Sequence, residues 1–366
     1  MWSGLGAPGN PLLHLGLATE RPRVLVCGDA DFAYSCALSE ALQQRGMLAS
    51  LCASSFEAEA DLVERYPHAE AAIATLRRDR GVELHCGVDA RALCHHFDGR
   101  EFDRIVFNLP QAPVEPGSRN KIQRHRALLC DFCVSAEQAL AAHGELYITL
   151  LAGQGGTCLD PIQRPLGDTW MLQAAAARAG MLLRAATPVD VGALGYTPTG
   201  RRVNQRITPS RLARGLVVHS LSREDEPAAT APCEIRWCYL NTFHAEVGLD
   251  AGTRVGAGAG AAEGAKAVPE TAPEGALHEW ALDALGPAAH ALPTAPVLLR
   301  TRRLEGERHA LTYRFIYRSA RLALSRERVH RANAAACEAI ANAAGMRWTL
   351  GFPVKGEPKP ELATHQ

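Results

Sequence analysis

Along the chain, short unbroken apolar runs alternate with stretches whose apolar positions recur every three or four residues. Arg23–Gly28 (RVLVCG) is one such run, and its branched residues predict a strand buried on both faces. Met47–Ser54, Val82–Cys86, Arg104–Asn108, Glu145–Leu151, Met181–Ala185 and Gly215–Ser220 predict further strands. Helical periods lie between them. Residues 33–45 set Ala37, Leu38, Ala41 and Leu42 on one face, and 57–80 read as helix with a break at Pro67. Residues 121–142 carry Leu129, Phe132, Cys133, Ala136 and Leu140 at helical spacing, with Gly144 as the expected stop. Residues 168–179 predict one more helix, ending at Gly180. Repeated strand–helix alternation predicts an α/β fold, a mostly parallel sheet with helices on both faces that binds its ligand at the carboxyl ends of the strands.

The pattern then changes. Residues 251–273 (AGTRVGAGAGAAEGAKAVPETAP) are rich in Gly, Ala and Pro and have no core-forming period, which reads as a linker or insertion. Downstream, 274–285 and 325–343 predict helices and 296–303, 309–318 and 346–350 predict strands. In the strand 309–318, Leu311, Tyr313, Phe315 and Tyr317 share one face, and Thr312, Arg314, Ile316 and Arg318 share the other. That period of two marks a strand with one face on a core.

Composition narrows the classes. In 366 residues, 39 Lys and Arg balance 39 Asp and Glu, so any nucleic-acid surface has to be local rather than global. Such a patch exists. Between Arg300 and Arg331 there are ten Arg against three Glu, a formal +7, with Arg302, Arg303, Arg314, Arg318 and Arg321 as candidate RNA contacts and Tyr313 and Tyr317 interleaved as stacking groups. The apolar runs are all too short to span a bilayer, and the first 22 residues lack the layout of a secretory signal. The expected location is the cytoplasm, nucleus or nucleolus. The 11 cysteines are scattered, which predicts reduced thiols rather than a disulfide framework. Cys130 and Cys133 fall within a helical pattern without a second pair at zinc spacing, so no metal site is expected. His95, His96 and His219 read as satisfied surface or core histidines.

The candidate chemistry sits at strand ends. The first strand runs into Gly28-Asp29-Ala30-Asp31-Phe32-Ala33-Tyr34-Ser35. A small-residue turn there lets backbone approach a nucleotide closely, and Gly28 leaves room for an adenosyl group. Two acids would repel a pyrophosphate but suit the sulfonium and amino group of S-adenosylmethionine. A tight turn with surface acids is the competing reading. Glu57, after the second strand, is a candidate for ribose hydroxyls. Asp89, in Gly87-Val88-Asp89-Ala90, is a candidate for an adenine amino group, or a helix N-cap, or both. The fourth strand ends in Phe107-Asn108-Leu109-Pro110, where Pro110 fixes the backbone and Asn108 can hydrogen-bond a planar base. Gly153-Gln154-Gly155-Gly156-Thr157 reads as a substrate loop or a flexible lid.

Four collinear blocks, RVLVCGDADFAYS, SSFEAEADLVERYPHAEAAIATL, GVELHCGVDA and FDRIVFNLP, resemble the domain of yeast-type large-subunit ribosomal RNA uridine-N3 methyltransferases. The Gly153–Thr157 loop, Trp170, Gly195-Tyr196, Arg201 and Arg202 resemble its animal branch that carries a ferredoxin-fold anticodon-binding domain. LTYRFIYRSARLALSRERVH is similar to the anticodon-binding domain of phenylalanyl-tRNA synthetases, with Glu234–Val247 as the candidate first strand of that module. The resemblance implies a Rossmann-like seven-stranded methyltransferase sheet over 22–222 and an α+β ferredoxin-like domain over 223–350. A loose arm (1–21) precedes them and a tail (351–366) follows. It also implies S-adenosylmethionine as cofactor, RNA as partner (ribosomal first, transfer RNA as the alternative) and methylation of uridine N3. The sequence departs from the family at Ala30 and Ala33, where Gly and Ser are usual, and lacks the second Pro and the aromatic of the Asn-Pro-Pro-aromatic corner of base N-methyltransferases. Those departures favour the rival reading, a non-catalytic RNA-binding protein on the same scaffold. A nicotinamide oxidoreductase is disfavoured by the absence of Gly-x-Gly-x-x-Gly.

Overall fold

The computed structural model describes residues 15, 21–47, 49–79, 81–113, 120–189, 196, 198, 215–224, 235–246, 274–303 and 308–351; along 235–246 and 300–309 most side chains fall outside the description. The chain divides into two compact units, Met1–Cys233 and Glu234–Gln366. Among the described residues, no helix is long and apolar enough to cross a membrane.

The first unit is a seven-stranded sheet. Its strands are β1 (Arg23–Cys27), β2 (Ser50–Ser54), β3 (Val82–His85), β4 (Phe102–Asn108), β5 (Leu140–Leu151), β6 (Met181–Val189) and β7 (Leu216–Arg223). Their order is β3-β2-β1-β4-β5-β7-β6. The first five run parallel, and β7 lies antiparallel to both β5 and β6. This is the Rossmann-like methyltransferase sheet that the sequence predicts. The order reverses between β1 and β4, which opens a crevice at their carboxyl ends.

The continuous apolar runs are explained by burial on both faces. Leu25 and Cys27 of β1 join Ile105, Phe107, Phe132 and Ile148 in one core, while Val24 and Val26 join Tyr34, Leu38, Val106 and Val218 in another. Each fully buried Leu, Val or Phe contributes about 1.5–3 kcal/mol. The helices are α1 (Ala33–Gln44), α2 (Glu59–Arg65), α3 (Ala69–Arg78), α4 (Leu93–His96), α5 (Lys121–Ala139) and α6 (Leu172–Arg178). The expected break at Pro67 separates α2 from α3.

Several local expectations need correction. The helix predicted to stop at Gly144 ends at Ala139, and Gly144 lies within β5 at a register irregularity between Phe102 and Arg104. A Cβ there would stand 3.0 Å from the carbonyl oxygens of both Ala141 and Phe102, so the glycine serves close strand approach rather than a cap. The arm is not loose throughout, because Leu15 is buried and its carbonyl accepts from Arg104 Nε at 2.6 Å. The insertion 251–273 and the tail beyond Gly351 lie outside the described residues. Eight described cysteines are free thiols, but Cys158 is disulfide-bonded, contrary to the expectation of reduced thiols.

The second unit runs β8 (Ile235–Glu246), α7 (Glu274–Leu285), β9 (Val297–Arg303), β10 (Arg308–Ser319), α8 (Arg326–Ala344) and β11 (Arg347–Gly351). The sheet order is β11-β8-β10-β9, all antiparallel. This is the split βαβ arrangement of a ferredoxin-like fold. Leu311, Tyr313, Phe315 and Tyr317 are buried on the core face, whereas Arg314 is exposed and Thr312, Ile316 and Arg318 are partly exposed on the other. A buried reciprocal amide pair ties β8 to α8: Asn241 Nδ2 donates to Asn333 Oδ1 at 2.8 Å, and Asn333 Nδ2 to Asn241 Oδ1 at 3.0 Å.

Gly28 supplies a stability test. Its φ is +63°, and a Cβ would stand 2.6 Å from Cε2 of the Phe107 ring. Gly28→Val therefore strains the backbone and displaces a core ring, a cost of about 2–4 kcal/mol. A thermal melt should show a lower Tm, whatever becomes of ligand binding. The space beside Gly28 belongs to Phe107, which corrects the expectation that an adenosyl group fills it.

Candidate methyl-transfer site

The turn after β1 is held by its own carboxylates. Asp29 Oδ2 accepts from the Ser35 backbone N–H and from Ser35 Oγ, both at 2.7 Å, and Asp31 Oδ1 accepts from Ala33 N at 3.2 Å. Both acids thus satisfy donors at the amino end of α1. Asp29 stays half-buried, and burial, opposed by the Ser35 hydrogen bonds, lifts its carboxyl to about 6. Phe32 occupies the left-handed region at φ 57° and is fully buried in a cluster with Leu62, Tyr66 and Ile73. Its ring is a core element rather than a wall of the crevice. Ala30 packs on the same cluster, so its extra methyl is accommodated within the protein.

On the far side of the reversal, β4 ends at the corner Asn108-Leu109-Pro110. Asn108 is paired in register with Thr149 of β5, and Thr149 Oγ1 donates to Asn108 Oδ1 at 2.6 Å. Leu109 is left-handed at φ 49°, an unusual conformation for a branched residue before proline, and its N–H donates to the Thr149 carbonyl at 2.9 Å. Pro110 is buried. Asn108 Nδ2 is buried without a hydrogen-bond acceptor. Tyr34, at the start of α1, stands between the two halves of the site. Its phenol titrates above the ordinary range because of burial and the neighbouring Asp29, and its hydroxyl lies beside the Asn108 amide. The Tyr196 ring meets it edge-on at 5.3 Å between centroids.

A methyl-donor nucleoside needs polar groups at these strand ends, and the residues fit that need. The buried Ser55 hydroxyl after β2 has no partner, nor has the buried amide nitrogen of Asn108 after β4, and the half-buried Asp29 carboxylate lies between their strands. Ser55, Tyr34, Thr149 and Tyr196 were not singled out as site residues by sequence. The signal for Ser55 and Thr149 was available only as position at the end of a predicted strand.

Two candidates are otherwise engaged. Glu57 is ion-paired with Arg65. Asp89 caps the short helical turn 90–92 by accepting from Arg91 N at 2.9 Å, and the Arg91 guanidinium grips both its oxygens and holds its carboxyl below the usual range. Of the two readings open for Asp89, the cap is the one the structure contains.

The Gly153–Thr157 segment is not a free lid. A Cβ at Gly155 would stand 2.7 Å from His219 Nε2, and one at Gly156 would collide with the Thr169 side chain. The segment packs on a wholly buried pair, His219 Nε2 to Asp160 Oδ1 at 2.9 Å. His219 is thus a satisfied core histidine. Cys52, Glu83 and His85 bring three ligand-type atoms within 4.8 Å of one another, but the Glu83 carboxylate already accepts two bonds from Arg100.

The RNA candidates divide. Arg314 and Arg321 are exposed and Arg318 is partly buried, while the side chains of Arg302 and Arg303 lie outside the described ones. Tyr313 and Tyr317 are 1% and 0% exposed, so they cannot stack on bases as expected. Strand alternation puts them under the helices, on the face opposite the arginines.

Asp29 makes a pH-dependent prediction. Its pKa is higher folded than unfolded, so the folded state holds the extra proton between the ordinary carboxylate range and about 6, and stability falls as pH rises through that window. Asp29→Asn keeps an acceptor for Ser35 and removes the buried charge. It should raise stability at neutral pH by on the order of 1 kcal/mol and leave it unchanged in acid, read as Tm against pH.

Residues 25–194 match the family described as rRNA (uridine-N3-)-methyltransferase BTM5-like. The ferredoxin-fold anticodon-binding domain-containing protein 1 homolog of Mus musculus is 36% identical over 187 residues, which is 50% of this chain and 29% of that protein. Its Homo sapiens counterpart is 36% identical over 183 residues, 49% of this chain and 28% of that one. The matched stretch therefore spans less than a third of either relative. Among solved structures, TrmN from Thermus thermophilus aligns with a TM-score of 0.34 at 21% identity, covering 58% of this chain and 48% of that one. The 16S rRNA (adenine(1408)-N(1))-methyltransferase from Catenulisporales acidiphilia aligns with a TM-score of 0.34 at 13% identity, covering 55% and 86%. Strand order carries the fold without these likenesses, and the sequence match supplies the family resemblance: residues 25–194 of this chain are similar to the BMT5-like domain described as rRNA (uridine-N3-)-methyltransferase.

Proposed function

We propose that the first unit binds S-adenosylmethionine at the ends of β1 and β2 and methylates N3 of a uridine in RNA, ribosomal RNA foremost. The second unit would hold the RNA through Arg314, Arg318 and Arg321. The cytoplasm or nucleolus is the matching compartment. The observation that carries this reading is the Asn108 amide, a buried N–H group without an acceptor at the crevice of a domain similar to that family.

The cofactor, when bound, supplies a methyl group already activated on a sulfonium. What remains for the protein is alignment and charge. Uracil N3 carries an imide proton and no in-plane lone pair, so that proton has to leave before or during transfer. Asp29, ionised at neutral pH and neighbouring Tyr34 and Tyr196, is the candidate to receive or relay it. Asn108 would hydrogen-bond the pyrimidine edge, and Pro110 would hold the corner. The base has to be unpaired or flipped, since N3 lies inside a Watson–Crick pair.

The engagement of Glu57 and Asp89 with arginines favours a second reading, a non-catalytic RNA-binding protein that has kept the sheet as scaffold. Calorimetric titration with S-adenosylmethionine separates the two, because saturable binding is expected of the enzyme and none of the scaffold.

Asn108→Ala should lower methyl transfer to uridine by about a hundredfold or more, with donor affinity within about threefold. Normal turnover in that variant, measured by nucleoside mass spectrometry, would remove Asn108 from the site. Replacing Arg314 and Arg318 together with Ala should weaken RNA binding and lower the slope of log affinity against log salt by about 0.7–0.9 per lost phosphate contact. An unchanged slope in filter-binding titrations would leave these arginines as solvated charges.

A further inference from the structure

The Asn108 corner carries a constraint that the general reading does not use. Thr149 holds it at two points. Its hydroxyl donates to Asn108 Oδ1 at 2.6 Å, and its carbonyl accepts the Leu109 N–H at 2.9 Å. Thr149 itself is 2% exposed on the central strand β5, so it has little freedom. With the Thr149 hydroxyl donating to Oδ1, the other end of the amide faces away from Thr149. The remaining end is Nδ2, which is buried beside the Tyr34 hydroxyl and meets no acceptor at full hydrogen-bond geometry. The site thus keeps its amide carbonyl occupied and leaves the N–H donors as the end of Asn108 open to a ligand.

Resting on the uridine reading, we infer that Thr149 is a positioning residue that locks Asn108 as a hydrogen-bond donor, and that this orientation selects a carbonyl-bearing ring edge over an exocyclic amine. An amine acceptor such as N4 of cytosine or N6 of adenine needs an oxygen to accept its N–H as the methyl arrives. A uracil ring needs the opposite. Its N3–H bond breaks, the proton passes to a base or water, and the negative charge left behind spreads over N3 and the flanking carbonyl oxygens. The N3 electron pair then forms the bond to the methyl carbon, while the carbon–sulfur bond of the sulfonium donor breaks with its electrons staying on sulfur as a thioether. A donor aimed at the carbonyl stabilises the anion where charge develops. It gives nothing to an amine.

The titratable groups described beside this corner are Asp29, Tyr34 and Tyr196. Asp29 titrates at about 6, and burial raises both phenols above their ordinary range. At alkaline pH, well above the Asp29 value, these three keep one charge state, and a change of rate there reports the substrate's imide proton.

The test uses the whole chain with Thr149→Val, which is nearly isosteric and lacks the hydroxyl, and Thr149→Ser, which restores it. In Thr149→Val, kcat at neutral pH should fall by about tenfold or more, and the loss should shrink at alkaline pH, where uridine ionises unaided. The KM for the methyl donor should hold within about threefold. Thr149→Ser should recover most of the rate and the original profile. A loss equal at every pH, or no loss, overturns the proposal. So does N4-methylcytidine, N3-methylcytidine or N6-methyladenine as the product of the wild-type protein in place of N3-methyluridine. A second readout needs no turnover. The side-chain amide resonances of Asn108, assigned by comparison with Asn108→Ala, should move in Thr149→Val and return in Thr149→Ser. If the wild-type protein methylates nothing, the uridine reading falls, and these resonances decide the clamp alone. Resonances that stay fixed in Thr149→Val overturn it.

Discussion

Everything at the candidate site depends on the parallel pairing of β1 with β4. From β1 the sheet grows outward through β2 and β3, and from β4 it grows the other way through β5. The two central strands therefore send their next segments to opposite sides and leave a gap that helices cannot cover. The pairing is fastened at its far end by Asp103 of β4, whose carboxylate accepts from the Arg23 backbone N–H at 2.8 Å and pairs with its guanidinium at 3.2 Å. At the near end, Phe107 fills the space that a side chain at Gly28 would take. The strand ends are held in place by core packing. That is why the Asp29 turn and the Asn108 corner can face one gap.

The polar groups at this gap sort by what already satisfies them. Asp31, Glu57 and Asp89 bind a helix terminus or an arginine, and their chemistry is accounted for within the fold. Asp29 is intermediate, because it serves Ser35 and yet titrates high through burial. Ser55 and Asn108 hold polar atoms with no protein partner, an expensive state for a buried group that a ligand would relieve. Two residues at the gap, Phe32 and Leu109, adopt left-handed backbone that branched or aromatic side chains rarely tolerate. Strain gathered at the ends of the two central strands is the pattern of a site held in shape by the rest of the fold.

The second unit shows how one strand can separate stability from recognition. Tyr313, Phe315 and Tyr317 alternate with Arg314 and Arg318 in β10, so a single 12-residue element gives aromatic surface to the core and cationic surface to the other face. The amide pair of Asn241 and Asn333 sits beneath, with the Tyr317 hydroxyl donating to Asn333 Oδ1 at 3.4 Å. Buried polar groups satisfied in both directions fix how β8 meets α8 more narrowly than apolar packing alone would.

Periodicity in the sequence by itself determined the elements, because burial on two faces demands continuous apolar runs and burial on one face demands alternation. That is why Arg23–Gly28 and the strand 309–318 read correctly, and why Pro67 was legible as a helix break. The end of α5 was not, since Gly144 looks the same in sequence whether it caps a helix or lets two strands approach. Residue types also named the acids and Asn108 as candidates. Only tertiary structure decided their use. Whether Asp89 or Glu57 has a free carboxylate depends on where Arg91 and Arg65 fold, and whether Tyr313 can stack on a base depends on which face the helices cover. Thr149 lies 41 residues beyond Asn108 and meets it only because β4 and β5 pair in register. Hydrogen bonds between strands are set by register, and register is a property of the packed sheet rather than of either strand's sequence.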